Sequence, residues 1–321
     1  MMMNLQPELL PDGMQAFLSF LQSRGRKPST LKRYEYDLAD FHRFIDVVLD
    51  GEEAAVTPGD ITTYFHILVE ERHYQLRTLK RIQTVLVRYF RFLRDTQRIA
   101  SNPMAELPVD DSVWNVLQEE ELITPKEMKQ LMDTLESDSG LSDKQQAVRP
   151  MLAPRNIVIL KLFYDYGLRM HELASIRIEH LHLTRGELNI TEGNPRTLQL
   201  TKELQKQLYY YLDVIPQAVR PSFDGEPLFV AFDFQRQTYR WSYENDQPKN
   251  LTEVAIQKMI REERKRAGIE RAISATHFRN SYIVRELESG VSPEALMDRL
   301  GLQSMLTLTK YIRYVNEEAA G

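Results

Sequence analysis

The sequence predicts a mainly α-helical protein of two domains, with a small antiparallel β-sheet in the second domain. The chain has 321 residues, and domains of about 100–200 residues suggest two of them. Apolar residues recur at helical spacing through most of the chain. Only residues 181–201 contain three short strand-like runs, separated by turns at Arg185-Gly186 and Gly193-Asn194-Pro195. Together these observations favour helical bundles with one small sheet.

Residues 1–105 predict a helical domain. The hydroxyl groups of Ser29-Thr30 suit the start of one helix, and Thr57-Pro58-Gly59-Asp60 is typical of the start of another. Ser101-Asn102-Pro103 marks the end of the last helix. The predicted helices cover residues 13–22, 29–48, 58–71 and 72–98.

Residues 106–122 predict a solvated linker because they are acidic and contain Pro108. The second domain is expected over residues 123–321. It opens with a capping box, Thr124-Pro125-Lys126-Glu127, and residues 136–146 read as a polar loop. Strands are predicted at 181–183, 187–191 and 197–201. Helices are predicted at 125–135, 155–166, from 171, and at 202–214, 252–267, 276–288, 293–300 and 307–314.

The composition excludes several classes of protein. Hydrophobic residues make up 42% and charged residues 27%, which is typical of an ordinary globular chain. No apolar run approaches the roughly 20 residues that span a bilayer, and no signal peptide is visible. The absence of cysteine excludes disulfides and thiolate metal sites. We expect no membrane association, no metal site and a cytoplasmic location in a bacterial cell or a phage-infected one.

Residues 72–98 carry a strong local positive charge, although the whole chain has a net charge of −5. Eight basic residues stand here against the single acid Asp95. On a helical wheel most of them share an arc of roughly 140°, opposite an apolar face. A solvated bundle face usually mixes both signs, so this pattern favours binding of an anion such as a phosphate backbone. The predicted contacts are Arg77, Lys80, Arg81, Arg88, Arg91 and Arg94.

Several motifs in the second domain occur in a recognisable order. Residues 162–173 read Leu-Phe-Tyr-Asp-Tyr-Gly-Leu-Arg-Met-His-Glu-Leu, and residues 275–281, after the strand region, read Ala-Thr-His-Phe-Arg-Asn-Ser. Leu300-Gly301-Leu302 and Tyr311 follow. This order and spacing are similar to the tyrosine recombinase (phage integrase) family. The resemblance implies a SAM-like core-binding domain, an α+β catalytic domain, and closure of both around double-stranded DNA.

The resemblance also implies a reaction and a set of residues. In this family a tyrosine hydroxyl attacks a DNA phosphodiester, forming a 3′-phosphotyrosine bond and freeing a 5′-hydroxyl, without a cofactor. Arg169 and Arg279 match the two arginines that hold the nonbridging oxygens, where negative charge grows in the transition state. Tyr311 matches the nucleophile. Glu172 matches the acid that accompanies the first arginine, and it would orient neighbouring groups.

The sequence departs from the family at three positions that move protons. Glu192 stands near the family lysine of the β-hairpin, and Thr276 and Leu302 replace two histidines. Arg196 and His277 remain as supporting candidates, although a guanidinium is a poor proton donor and His277 is turned about 100° from the expected direction. An acid or base contributes about 10²–10⁴-fold, so these losses would slow or silence cleavage while leaving DNA binding intact.

Alternatives therefore stay open at this point. The chain is an active site-specific recombinase of a phage, mobile element or chromosome, or a silent binder of the same fold acting as a repressor or accessory regulator. A weaker alternative is an interaction protein whose basic helix binds another polyanion. The individual residues also have structural explanations: Arg169 would cap a helix end, Arg279 would pair with Glu286 or Glu288, and Tyr311 would pack.

The expected assembly state follows from the residues after Tyr311. Residues 312–321 offer little apolar surface for docking on a neighbour. We expect a monomer or weak dimer in free solution, with higher assembly on DNA.

Overall fold

The computed structural model describes residues 10–49, 55–105 and 117–320. The chain divides into two compact units, Met1–Trp114 and Asn115–Gly321. The predicted fold class is confirmed, since the described part is mainly helical with small antiparallel sheets. In the described ranges, no helix is long and apolar enough to cross a membrane.

The described part of the first unit contains a helix at each of the four predicted places, although the fourth is shorter than predicted and runs from Leu76 to Asp95. Thr57 caps the third by accepting a hydrogen bond from the backbone N–H of Asp60, and this helix continues as a π-helical turn, Ile67–Glu71. The aromatic side chains of Phe41, Tyr64 and Phe90 fill the core. The helices are α1 (Asp12–Ser23), α2 (Pro28–Leu49), α3 (Pro58–His66) and α4 (Leu76–Asp95).

The second unit surrounds one three-stranded sheet with helices. Its strands β1, β2 and β3 are antiparallel in the order β1-β2-β3, and Ile190 pairs with Arg196 at the turn end of β2 and β3. Leu188 and Leu198 pair on the buried face. The strands are β1 (Leu181–His182), β2 (Glu187–Ile190) and β3 (Arg196–Gln199). The helices are α5 (Pro125–Glu136), α6 (Asp143–Tyr166), α7 (Met170–Ala174), α8 (Lys202–Val214), α9 (Glu253–Arg266), α10 (Ala275–Glu288), α11 (Pro293–Leu300) and α12 (Thr309–Ala320).

Helix α6 begins twelve residues earlier than expected. The prediction of a loop over 136–146 and a helix from 155 was wrong in this part, because α6 starts at Asp143 and contains Pro150 and Pro154. Proline removes one backbone hydrogen bond and usually ends a helix. Here Val148 and Leu152 are buried in the core of the unit, and this apolar packing stabilises the helix across both prolines.

Two small hairpins were not predicted. They are β4 (Phe232–Asp233) with β5 (Thr238–Tyr239), and β6 (Trp241–Ser242) with β7 (Gln247–Pro248). Each strand has two residues, which is too short to produce a visible alternation of apolar and polar side chains. Both hairpins lie between α8 and α9 in the chain.

The segment that precedes α5 packs onto the second unit. Residues 106–116 of the expected linker lie outside the described residues. Leu117 is 2% exposed and belongs to the same apolar cluster as Tyr311. The Glu121 carbonyl oxygen accepts a hydrogen bond from the side chain of Asn280 on α10. Leu117 and Glu121 therefore contact the packed structure of this unit, whereas residues 118–120 between them are exposed.

Candidate active site

Glu172 on α7 is the centre of a cluster of arginines. Its carboxylate has no solvent exposure, and it accepts two parallel hydrogen bonds from Arg196, each of 3.0 Å. A guanidinium N–H of Arg169 donates to Oε1 at 3.1 Å, and Nη1 of Arg279 lies 3.9 Å from Oε2. Three guanidinium groups thus surround one carboxylate. The site therefore carries an excess of two positive charges, which suits a phosphate group that is contacted by two guanidinium groups.

The turn between α6 and α7 places the first arginine. Gly167 ends α6 in the left-handed conformation, with φ of 61°. A Cβ atom at this position would lie 2.5 Å from the ring of Tyr282, so only glycine fits. Two residues later the backbone N–H of Arg169 donates to Glu172 at 2.8 Å, which forms the capping box of α7. The carboxylate therefore fixes both the main chain and the side chain of Arg169.

The second arginine comes from α10. Arg279 donates a hydrogen bond to the Gly167 carbonyl oxygen at the end of α6, so this arginine, and not Arg169, satisfies that helix end. Burial lowers the pKa of Arg279 to about 10, with the charge of Arg169 acting in the same direction and that of Glu172 opposing it. The group remains protonated at neutral pH. Its alternative pairing with Glu286 or Glu288 does not occur.

The charge of Glu172 is stabilised by the same neighbours. Burial alone would raise its pKa, but the hydrogen bonds from Arg196 and from the Arg169 backbone, with the charge of Arg279, hold the pKa below its ordinary value. Glu172 is therefore ionised at neutral pH. Its carboxylate orients the side chains of Arg169 and Arg196 by accepting their hydrogen bonds.

Arg196 connects the β-hairpin to the turn after α11. Its guanidinium is 7% exposed and also approaches the carbonyl oxygen of Asn194 at 3.4 Å. The Asn194 side chain donates to the Gly301 carbonyl oxygen at 2.6 Å and accepts from Gln303 at 3.1 Å. Because a Cβ at Gly301 would lie 3.0 Å from Asn194, glycine allows this close approach. Sequence reasoning had not singled out Asn194.

Tyr311 on α12 lies inside the apolar cluster of the second unit. It is 6% exposed, and its hydroxyl donates to Oδ1 of Asn280 at 2.7 Å. Burial raises its pKa to about 12, although the positive charge of Arg279 acts in the opposite direction. The hydroxyl is thus protonated and sequestered in this structure. Asn280, which is 2% exposed, was missed from the sequence; its only signal is a polar residue at a buried helical position.

Neither His277 nor the three positions that depart from the family pattern supply a fully buried acid or base. His277 caps α10, since its Nδ1 accepts from the Ser274 backbone N–H at 3.2 Å, and burial lowers its pKa. Thr276 and Glu192 are exposed, and Leu302 is partly buried against the cluster around Tyr311. In the described part of the chain, no group of three or more acidic or histidine side chains is placed to hold a metal ion.

The basic face of α4 lies in the first unit, and its six predicted contacts fall into two groups. Three are partnered: Arg81 binds Asp37 at 2.8 Å, Arg88 donates to the hydroxyl of Tyr34, and Arg94 pairs with its neighbour Asp95. The other three make no salt bridge or side-chain hydrogen bond with any described residue. They are Arg77, Lys80 and Arg91.

Family models and known relatives match residues in both units of the chain. The model of the phage integrase family matches residues 121–318, and that of the phage integrase N-terminal SAM-like domain matches residues 14–97. The tyrosine recombinase XerD of Listeria monocytogenes is 24% identical over 306 residues, which cover 94% of this chain and 93% of that protein. The tyrosine recombinase XerA of Pyrococcus furiosus is 23% identical over 305 residues, covering 94% and 88%.

Solved structures share the fold. The XerH site-specific recombinase bound to its palindromic difH substrate, in a post-cleavage complex, has a TM-score of 0.68 and 17% identity, covering 96% of this chain and 83% of that one. A lambda integrase dimer bound to a COC′ core site has a TM-score of 0.62 and 16% identity, covering 92% and 95%.

Proposed function

Because the chain belongs to the phage integrase family, we propose that it binds duplex DNA and acts as a site-specific tyrosine recombinase. Arg169 and Arg279 hold a phosphodiester, and Tyr311 attacks it. The observation that carries this proposal is the arginine cluster around Glu172, whose excess of two positive charges has no anionic partner among the described residues.

The reaction exchanges one phosphoester bond for another. The hydroxyl oxygen of Tyr311 forms a bond to phosphorus, and the bond from phosphorus to the 5′-oxygen of the next nucleotide breaks. The tyrosine gives up one proton and the departing 5′-oxygen takes up one, so no proton is gained or lost overall. Charge on the nonbridging oxygens grows in the transition state, where fixed guanidinium groups stabilise it most.

Proton transfer is the weak part of this site. Arg196 is the only basic side chain that the β-hairpin contributes to Glu172, and a guanidinium does not act as an acid near neutral pH. His277 is engaged as a helix cap. We therefore expect slow strand cleavage, limited by protonation of the departing 5′-oxygen.

The test uses a DNA site selected for tight binding from a random duplex pool. A nicked version of that duplex traps the covalent intermediate because the short 5′ fragment diffuses away. We expect slow accumulation of a protein–DNA adduct, and none with Tyr311→Phe, which removes only the hydroxyl. DNA affinity should stay within a few-fold.

A second substrate separates a missing acid from a missing nucleophile. Replacing the bridging 5′-oxygen with sulfur gives a leaving group that needs no proton, so adduct formation should accelerate by about 10²-fold or more, the size of a general-acid contribution. Absence of an adduct with both substrates would overturn the proposal of strand cleavage. If the protein still bound the selected duplex, the proposal of DNA binding would stand.

The basic face of α4 supplies the proposed contacts to the DNA backbone in the first unit. Arg77, Lys80 and Arg91 are available for phosphate without breaking an internal pair, whereas the other three must exchange a partner. The proposed location is the cytoplasm, which suits a DNA-binding chain without cysteine. The proposed state in free solution is a monomer or weak dimer, and light scattering that shows a stable tetramer would contradict it.

A further inference from the structure

A cavity of about 450 Å³ lies in the second unit, outside the arginine cluster of the active site. Its walls come from the first half of α6, from α9, and from the segment that carries the two small hairpins. None of the residues around Glu172 lines it. Its volume falls within the range of about 300–1,000 Å³ that small-molecule sites occupy.

The lining of this cavity is strongly basic. Seven arginine and lysine residues line it against two acids, Glu262 and Glu263. Glu263 is already shared by Arg149, at 2.6 Å, and Arg266, at 2.7 Å. Lys249 and Lys265 are exposed at its edge and make no salt bridge with a described residue. Lys258 pairs with Glu262 at 3.7 Å, so the two acids of the lining balance only part of its positive charge.

Arg155 is the most informative of these residues. It is 4% exposed. Among the described residues, its hydrogen bonds reach only neutral oxygens, the Val230 carbonyl and the side-chain amide oxygen of Asn156. Burial lowers its pKa. A buried charge without a counter-charge is costly, and an anion in the adjoining cavity would supply the missing partner.

The floor of the cavity is apolar. Leu152, Phe232 and Met259 are buried in its lining, and the ring of Phe234 is 58% exposed at its edge. A bare inorganic anion would leave these surfaces without contact. A ligand with both a flat ring and phosphate groups satisfies the apolar floor and the basic edge together.

We propose that this cavity binds a nucleotide, with its base against the apolar floor and its phosphates toward Arg155 and Lys249. These two residues lie at the same end of the cavity, because Arg155 donates to the Val230 carbonyl oxygen and Val230 pairs with Asn250, the neighbour of Lys249. The proposal does not rest on the recombinase activity. Since a phosphate-bearing base comes either from a free nucleotide or from DNA, the test includes both sources.

The experiment measures binding of ATP to the full chain by titration calorimetry. We expect a dissociation constant below about 1 mM, and roughly fivefold or greater weakening by Lys249→Glu, as for loss of a partly exposed charge contact. The matched control is Lys206→Glu on α8, an exposed lysine that does not line the cavity, which should change affinity less than twofold.

Further arms identify the group that is bound. Inorganic triphosphate, which lacks the ring, should bind at least about tenfold more weakly than ATP. Arg155→Lys, where it folds, should weaken ATP binding, and Arg169→Ala should leave it unchanged. The DNA source is tested with duplex DNA as a competitor, which should not displace ATP.

Five results would overturn the proposal. Three of them are no heat of binding up to millimolar ATP, equal affinity in Lys249→Glu and in the natural protein, and equal affinity for inorganic triphosphate. Loss of ATP binding with Arg169→Ala would place the nucleotide at the strand-cleavage site. Displacement by duplex, with no effect of Arg169→Ala, would assign the cavity to DNA and not to a free nucleotide.

Discussion

The hydroxyl of Tyr311 lends itself to a quantitative test. The substitution Tyr311→Phe removes the donor that Asn280 Oδ1 accepts at 2.7 Å and leaves a buried amide oxygen without this partner. Loss of one such bond in a buried setting costs about 1–2 kcal/mol. At neutral pH the variant should therefore be less stable than the natural protein by about this amount.

The difference between the two proteins should depend on pH. Burial raises the pKa of Tyr311 to about 12, from an ordinary value of 10.0. A pKa raised on folding gives stability that is fully present below the ordinary pKa and is lost as pH rises through the folded value. Two pKa units correspond to about 2.7 kcal/mol. The Phe variant lacks this loss, so the two stabilities should converge near about pH 11.

Two measurements follow this behaviour. Urea denaturation followed by circular dichroism at several values between pH 7 and 11 gives the difference in unfolding free energy. A difference titration of phenolate absorbance, natural protein minus variant, gives the pKa of this one tyrosine. If the tyrosine ionises near its ordinary pKa and the stability difference stays constant with pH, the buried hydrogen-bonded state of the hydroxyl is wrong.

Three further predictions concern other residues. Changing Arg77 and Arg91 to Gln should weaken binding to all duplexes and flatten the slope of log affinity against log salt by about 0.9 per lost contact. Arg98 is already paired with Asp12, so the control Arg98→Gln should have a smaller effect. Equal slopes in both variants would contradict this. Asn280→Ala should speed adduct formation up to about tenfold, because the hydrogen bond that holds the hydroxyl of Tyr311 away from the phosphate disappears. A slower rate in a folded variant would show that this hydrogen bond does not restrain the nucleophile. Glu172→Gln should destabilise the protein by about 3–5 kcal/mol, as for a broken buried ion pair. Because the pKa of Glu172 in the folded protein lies below its ordinary value of 4.5, the natural protein should lose this advantage as pH falls from about 4.5 through the lower folded pKa. Thermal unfolding against pH checks it.

The sequence predicted the helices and the sheet because their boundaries carry local chemistry. Thr124 and Glu127 form the expected reciprocal cap, and the turns at 185–186 and 193–195 separate the observed strands. The start of α6 escaped prediction because Pro150 and Pro154 oppose a helix locally. The helix is favoured there only by packing of Val148 and Leu152 against elements distant in the chain. A short stretch of sequence carries no information about that packing.

The site was predictable in its charges and not in its contacts. Arg169, Arg279 and Tyr311 were placed by resemblance, and their assignment to strand cleavage stays a prediction. The partner of Tyr311 could not be foreseen, because an asparagine within a helix has no pattern of its own. Helical geometry did indicate that His277 points away from the family direction, and the structure engages it with Ser274 instead.

In the proposed reaction, the substituted positions separate charge stabilisation from proton transfer. The groups proposed to stabilise charge are present, since three guanidinium groups lie 3.0 to 3.9 Å from the carboxylate of Glu172. The groups that would move protons are an exposed acid, an exposed threonine and a leucine, at Glu192, Thr276 and Leu302. Fixed guanidinium groups stabilise the charge that grows on the nonbridging oxygens, but they do not supply the proton that the departing 5′-oxygen needs. A site of this composition should hold its DNA tightly and turn over slowly, with its rate set by the basicity of the departing oxygen.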